Sequence, residues 1–145
     1  MIKILLIATF LMGNLLGETE FAKPKPAIDN PRKLVFAFPS GDVKNMNKVI
    51  STINNVIKFY RPENTEVVVV AYGQGMNALL KNGDKEVRKR IEALMTYDVV
   101  FIACGNTMRT LHMKKKDLLE DVEFATAGIV EIIERKLQGF SYTQP

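Results

Sequence analysis

The chain is poor in the residues on which many functional sites depend. It has no tryptophan, one cysteine and one histidine in 145 residues. A single cysteine, Cys104, excludes an internal disulfide and a cysteine-based zinc site. His112 stands alone, without H-E-x-x-H or comparable metal spacing, so no metal site is expected. G-x-G-x-x-G and P-loop patterns are also missing, and no cofactor is expected. Neither sign of charge is in marked excess: 20 basic residues face 16 acidic ones, a formal net charge of +4. That balance favours solubility but lacks the basic stripe with interleaved aromatics of a nucleic-acid binder. The densest basic run, Lys114-Lys115-Lys116, is followed by Asp117, Glu120 and Asp121, and reads as a solvated surface turn.

Long apolar runs are missing except at the N-terminus. There Lys3 precedes an almost wholly apolar stretch from Ile4 to Leu16. Its length fits the core of a signal peptide and falls short of the roughly 20 residues of a membrane-spanning helix. Residues 1–17 are therefore expected to be a signal peptide, cut after Gly17 or as late as Ala22, with no cysteine nearby for lipidation. Residues 18–32 carry Pro24, Pro26 and Pro31 among charged residues and read as a proline-rich linker. Residues 33–145 form one domain, as the length favours. The protein is thus expected in the periplasm, with no stable membrane span after cleavage. In an oxidising compartment a lone cysteine is buried and inert, paired with another molecule, or kept reactive.

Periodicity divides the domain into alternating strands and helices. Lys33–Phe38, Glu66–Tyr72 and Asp98–Ala103 are apolar, β-rich runs typical of strands covered on both faces. Val122–Ala125 and Phe140–Thr143 are short strands, the second at an edge. Between them, apolar residues recur every three or four positions over Val43–Tyr60, from Asp84 through Met95, and from Gly128 to Gln138, the pattern of amphipathic helices. Met76–Leu80 and Met108–Leu111 are shorter helical pieces. Gly139 caps the last helix. Such alternation specifies an α/β fold, a three-layer α/β/α sandwich around a mostly parallel sheet.

Ligands of such sheets bind beyond the carboxyl ends of the strands. Four loops leave those ends: Pro39-Ser40-Gly41-Asp42, Gly73-Gln74-Gly75, Cys104-Gly105-Asn106-Thr107 and Thr126-Ala127-Gly128. All contain glycine, which lets the backbone turn sharply and approach a ligand. Cys104 lies where a strand becomes a turn. A helix starting there directs amides at the sulfur and favours the thiolate, the species that attacks other sulfur atoms. The opposing reading is a small buried hydrophobe at a strand end. Arg109 and His112 follow as cations able to lower the thiol pKa, although their usual state is solvent-facing. No acid completes a cysteine-histidine-acid triad in the turn, which argues against a hydrolase. Asp42 reads mainly as a helix cap.

The series Ser40-Gly41-Asp42 with Asn45, Val70-Ala71-Tyr72-Gly73-Gln74-Gly75, Ala103-Cys104-Gly105-Asn106-Thr107, Ala127-Gly128-Ile129-Val130-Glu131 and Gly139-Phe140-Ser141-Tyr142 resembles the DsrE/DsrF-like sulfur-relay family. The resemblance runs from about Lys33 to Pro145, and the Cys-Gly-Asn-Thr turn is its most specific element. It implies a flavodoxin-like sandwich that tends to form homo-oligomers. It also implies a sulfur carrier or sulfurtransferase holding sulfane sulfur as a persulfide on Cys104. Ser40, Gly41, Asp42, Gly73, Gln74, Gly75, Gly105, Asn106 and Thr107 then line the pocket or bind an anion. Partners are sulfur donor and acceptor proteins or small thiols, and not nucleic acid. The relay proteins of this family work in the cytoplasm, whereas this chain reads as exported, so thiolation of transfer RNA does not carry over. Two other functions stay open: a non-catalytic small-ligand-binding module, and an oligomeric thiol sensor.

Overall fold

A computed structural model describes residues 18–145; the expected signal peptide lies outside the described residues. Strand β1 (Arg32–Phe38) is followed by α1 (Val43–Tyr60), β2 (Thr65–Ala71), a 3-10 segment (Gly73–Leu79) and α2 (Lys85–Met95). Then come β3 (Val100–Cys104), α3 (Gly105–Thr110), β4 (Glu123–Ala125), α4 (Gly128–Leu137) and β5 (Ser141–Thr143). The five strands form one sheet in the order β4-β3-β2-β1-β5, and every neighbouring pair is parallel. The α/β architecture expected from the alternating pattern is the one observed.

This order dictates where the helices lie. From β1 to β4 the chain steps one strand at a time in one direction. Right-handed crossovers then place α1, α2 and α3 on one face. The return from the β4 edge to the β5 edge runs the opposite way, so α4 lies on the other face. Alternation along the strands divides the core accordingly. Phe36, Phe38, Val67, Val69, Ala71, Phe101 and Ala103 pack with Met46, Ile50, Ile53, Val87 and Ile91 of α1 and α2. Val35, Ala37, Val68, Val70 and Ile102 pack with Ile132 of α4 and with Phe140.

Helix starts follow their caps. Asp42 Oδ1 accepts from the Asn45 N–H at 2.9 Å, and Asp84 Oδ1 accepts from the Glu86 and Val87 N–H groups. Each satisfies donors that the first helical turn leaves unpaired. Gly139, at φ +91, ends α4 as expected.

Three local differences from the sequence reading have simple causes. Asp98 sits in the left-handed region at φ 61 and belongs to the turn, so β3 starts at Val100. Cys104 is the last strand residue as well as the N-cap of α3, so the helix takes up the whole Gly105–Thr110 stretch. The Met76–Leu80 piece is part of a longer 3-10 segment.

Residues 18–31 contain only an isolated bridge, between Ala27 and Asn30. They nonetheless lie back on the domain. The Phe21 ring meets Phe59 and Tyr60 at 5.6 and 5.8 Å, and Arg32 Nη2 donates to the Ala22 carbonyl at 2.6 Å. Among the described residues no helix is long and apolar enough to cross a membrane.

Candidate functional site

Cys104 takes its direction from strand parity. Ile102 faces α4, so two residues on, the Cys104 side chain also points to the α4 face. It is 5% exposed. β4 ends beside it, Cys104 pairing with Ala125, and the chain turns at once into α4. The first helical residue there, Gly128, donates its N–H to Cys104 Sγ at 3.1 Å. A side chain at Gly128 would stand 3.2 Å from Cys104 Cβ and 3.3 Å from Tyr72 Cβ. Glycine therefore permits the close approach that makes this hydrogen bond.

The second support is Thr107. Its Oγ1 accepts from the Gly73 N–H at 3.0 Å, which ties the loop after β2 to the loop after β3. Its hydroxyl and amide, with the Asn106 amide, also turn their positive ends toward the sulfur. Only the Gly128 contact is a well-formed hydrogen bond; the others act as oriented dipoles. Burial pushes the thiol up, but the Thr107 hydroxyl and the amides of Thr107, Gly128 and Asn106 outweigh it. The net effect holds Cys104 below the ordinary thiol value, and no charged group contributes to that shift. The Tyr72 phenol behaves oppositely. Burial, and then Tyr142 nearby, push it up, so it stays protonated.

The residues expected at the site fall into two groups. Gly73, Gln74, Asn106 and Thr107 line one cleft of about 290 Å³, next to the sulfur-bearing turn. Gly105 carries the backbone past β4: its Asn106 neighbour donates to the Thr126 carbonyl at 3.0 Å. Ser40, Gly41 and Asp42 are one loop further away and form the cap of α1. Ser40 Oγ accepts from the Asp42 N–H and from Asn45 Nδ2 at 3.2 and 3.3 Å. Gly41 packs on Gln74, where a side chain would come within 2.8 Å of Gln74 Cβ. Gly75 packs closer still: a Cβ there would stand 1.8 Å from the Phe38 carbonyl oxygen. These glycines hold the loops together.

Arg109 and His112 do not act on the thiol. Both are exposed, neither contributes to the shift of the thiol, and the Arg109 guanidinium donates to Asn106 Oδ1. Among the described residues no three His, Cys, Asp or Glu side chains converge as a metal site would require. Gly128 is the residue whose role the sequence does not single out. Its signal is an Ala-Gly pair one residue beyond a three-residue strand, legible only once β4 is known to pair with β3.

The family model for the DsrE/DsrF-like family matches residues 34–144. A solved structure of a protein of unknown function from Methanobacterium thermoautotrophicum, MTH1491, is 30% identical. It superposes with a TM-score of 0.74 over 79% of this chain and 99% of that one. The ychN protein of E. coli shares the fold at a TM-score of 0.69, with 13% identity over the same shares of the two chains. No protein of curated function matches. With the match extending from the first strand to the last, the chain belongs to the DsrE/DsrF-like family.

Proposed function

We propose that the protein is an exported sulfur carrier that holds sulfane sulfur as a persulfide on Cys104. The observation that carries this reading is the Gly128 N–H on Cys104 Sγ at 3.1 Å, in surroundings that favour the thiolate despite burial. Family membership supports it, since this family is generally related to sulfur relay. Loading needs no external oxidant. The Cys104 thiolate attacks the outer sulfur of a donor persulfide, a new S–S bond forms, the donor S–S bond breaks, and the donor leaves as its thiolate. An acceptor thiolate repeats the step on the Cys104 persulfide. That persulfide is itself an anion, and the same amides that favour the thiolate stabilise it.

In this reading residues 1–17 are the export signal, the domain works in the periplasm, and self-association covers the outer face of α4. The support for self-association is an apolar stripe, Ile129, Val130, Ile133 and Leu137, with Leu137 76% exposed.

The test is intact mass after incubation with polysulfide, beside Cys104→Ser. A gain of about 32 Da that dithiothreitol removes and the variant lacks is the expected result. No gain in a folded protein sinks the carrier function.

A further inference from the structure

Beyond the thiol lies a second feature, on the opposite face of the sheet. A Schellman turn ends α3: His112, at φ 53, bonds back to the Arg109 carbonyl, and the Met113 N–H donates to the Met108 carbonyl at 2.9 Å. The turn throws Met113, Lys114 and Lys115 across the end of β4. Between them and β4 opens a cleft of about 680 Å³. Its apolar floor is Met108, Met113 and Phe124, and its rim is Arg109, Lys114 and Lys115. Lys115 Nζ lies 4.4 Å from the centre of the Phe124 ring, which is 41% exposed.

Acids are kept out of this cleft. Glu123 pairs with Ile102 and so points to the α4 face, whereas Phe124 pairs with Ala103 and points here. The Asp117 carboxylate is engaged by the Lys114 N–H at 2.9 Å. The basic run that reads as a solvated turn is therefore one wall of a cleft with a single sign of charge. Flexible methionines, an aromatic ring and an arginine are the side chains that protein interfaces favour, because they repack around an inserted group.

We propose that this cleft docks an acidic segment of a partner protein. One apolar side chain of the segment sits on Met108, Met113 and Phe124, and carboxylates on either side meet Arg109 and the Lys114–Lys115 pair. The other wall is Gly105 with Ala125 and Thr126, the residue after Cys104 and the strand end beside it. A docked partner is thereby held next to the sulfur-bearing turn. Its identification as a sulfur donor or acceptor rests on the carrier reading; the docking does not.

The test is fluorescence anisotropy of a labelled synthetic peptide, Asp-Glu-Phe-Asp-Glu, with the full chain. Saturable binding that weakens with salt is expected. The double variant Arg109→Glu, Lys115→Glu loses about tenfold in affinity or more. Phe124→Ser also weakens binding, and Cys104→Ser leaves it unchanged. Lys44→Glu with Lys48→Glu, an equal change of net charge on the exposed side of α1, has little effect. No binding overturns the proposal, as does an equal loss from the α1 pair, which reduces it to net-charge attraction. Benzenesulfonate competing with the peptide at equal affinity also overturns it, in favour of a small-molecule ligand. In the wild type, peptide binding without a persulfide gain sinks the carrier reading alone, and a persulfide gain without peptide binding sinks the docking alone.

Discussion

On one face of the sheet, α1, α2 and the 3-10 segment enclose Phe36, Phe38, Phe101 and their neighbours in a continuous core. On the other, α4 alone lies against the sheet, with Ile132 its one large buried side chain. The first face has the density of a finished interior. The second has a helix that is apolar on its outer side too, where Ile133 is 49% exposed. Cys104 belongs to the second face. Stability and chemistry are thus separated by the pleat: residues of one parity hold the fold, and the next residue along β3 carries the sulfur. The thinner cover is what lets a backbone amide at a helix start, rather than a packed side chain, meet the thiol.

Substitutions on the two faces sharpen this contrast. The largest effect is expected at Gly75, where the loops after β1 and β2 touch through their backbones. Gly75→Val forces them apart and costs about 5 kcal/mol or more, enough to leave little folded protein in a urea titration. Next is Phe101→Ala in the enclosed core, with an expected loss of about 3–5 kcal/mol by the same titration. Smallest is Ile133→Glu on the outer side of α4, within about 0.5 kcal/mol for the isolated fold. The same variant shifts the sedimentation coefficient toward the monomer if α4 is the assembly face. A cost at Ile133 equal to that at Phe101 would show that the two faces are equally closed, and the contrast would fail.

Much of this arrangement was legible in the sequence, for identifiable reasons. The strands β1, β2 and β3 are unbroken apolar runs, and α1 is marked by an eighteen-residue periodicity between Asp42 and Arg61-Pro62. Cys104 stands out because it is the only cysteine and falls at a strand end. The division of the glycine loops was not legible. Ser40, Gly41 and Asp42 have the composition of a ligand loop, and in the structure they cap α1 and pack on Gln74. Only strand pairing brings Gly128 to the sulfur, a contact across 24 residues that no local pattern encodes. The Lys114–Lys116 run is the exposed turn its composition suggests, but its position was not legible. Its composition is that of any solvated turn, and its place above Phe124 follows from the left-handed residue His112.

The lowered thiol pKa also links the site to stability. A thiolate stabilised in the fold adds stability that is fully present above the unfolded pKa and is lost as pH falls through the folded one. The account's central claim is that oriented donors, not cations, lower the Cys104 thiol pKa in the fold. The most direct measurement is the ultraviolet thiolate absorbance of the folded protein against pH, with Cys104→Ser as the blank, compared with Thr107→Val and with the urea-unfolded chain. The folded wild type is expected to titrate below the unfolded chain, and Thr107→Val to move the midpoint up toward it. A folded midpoint at or above the unfolded one, or one that Thr107→Val leaves in place, would contradict the account.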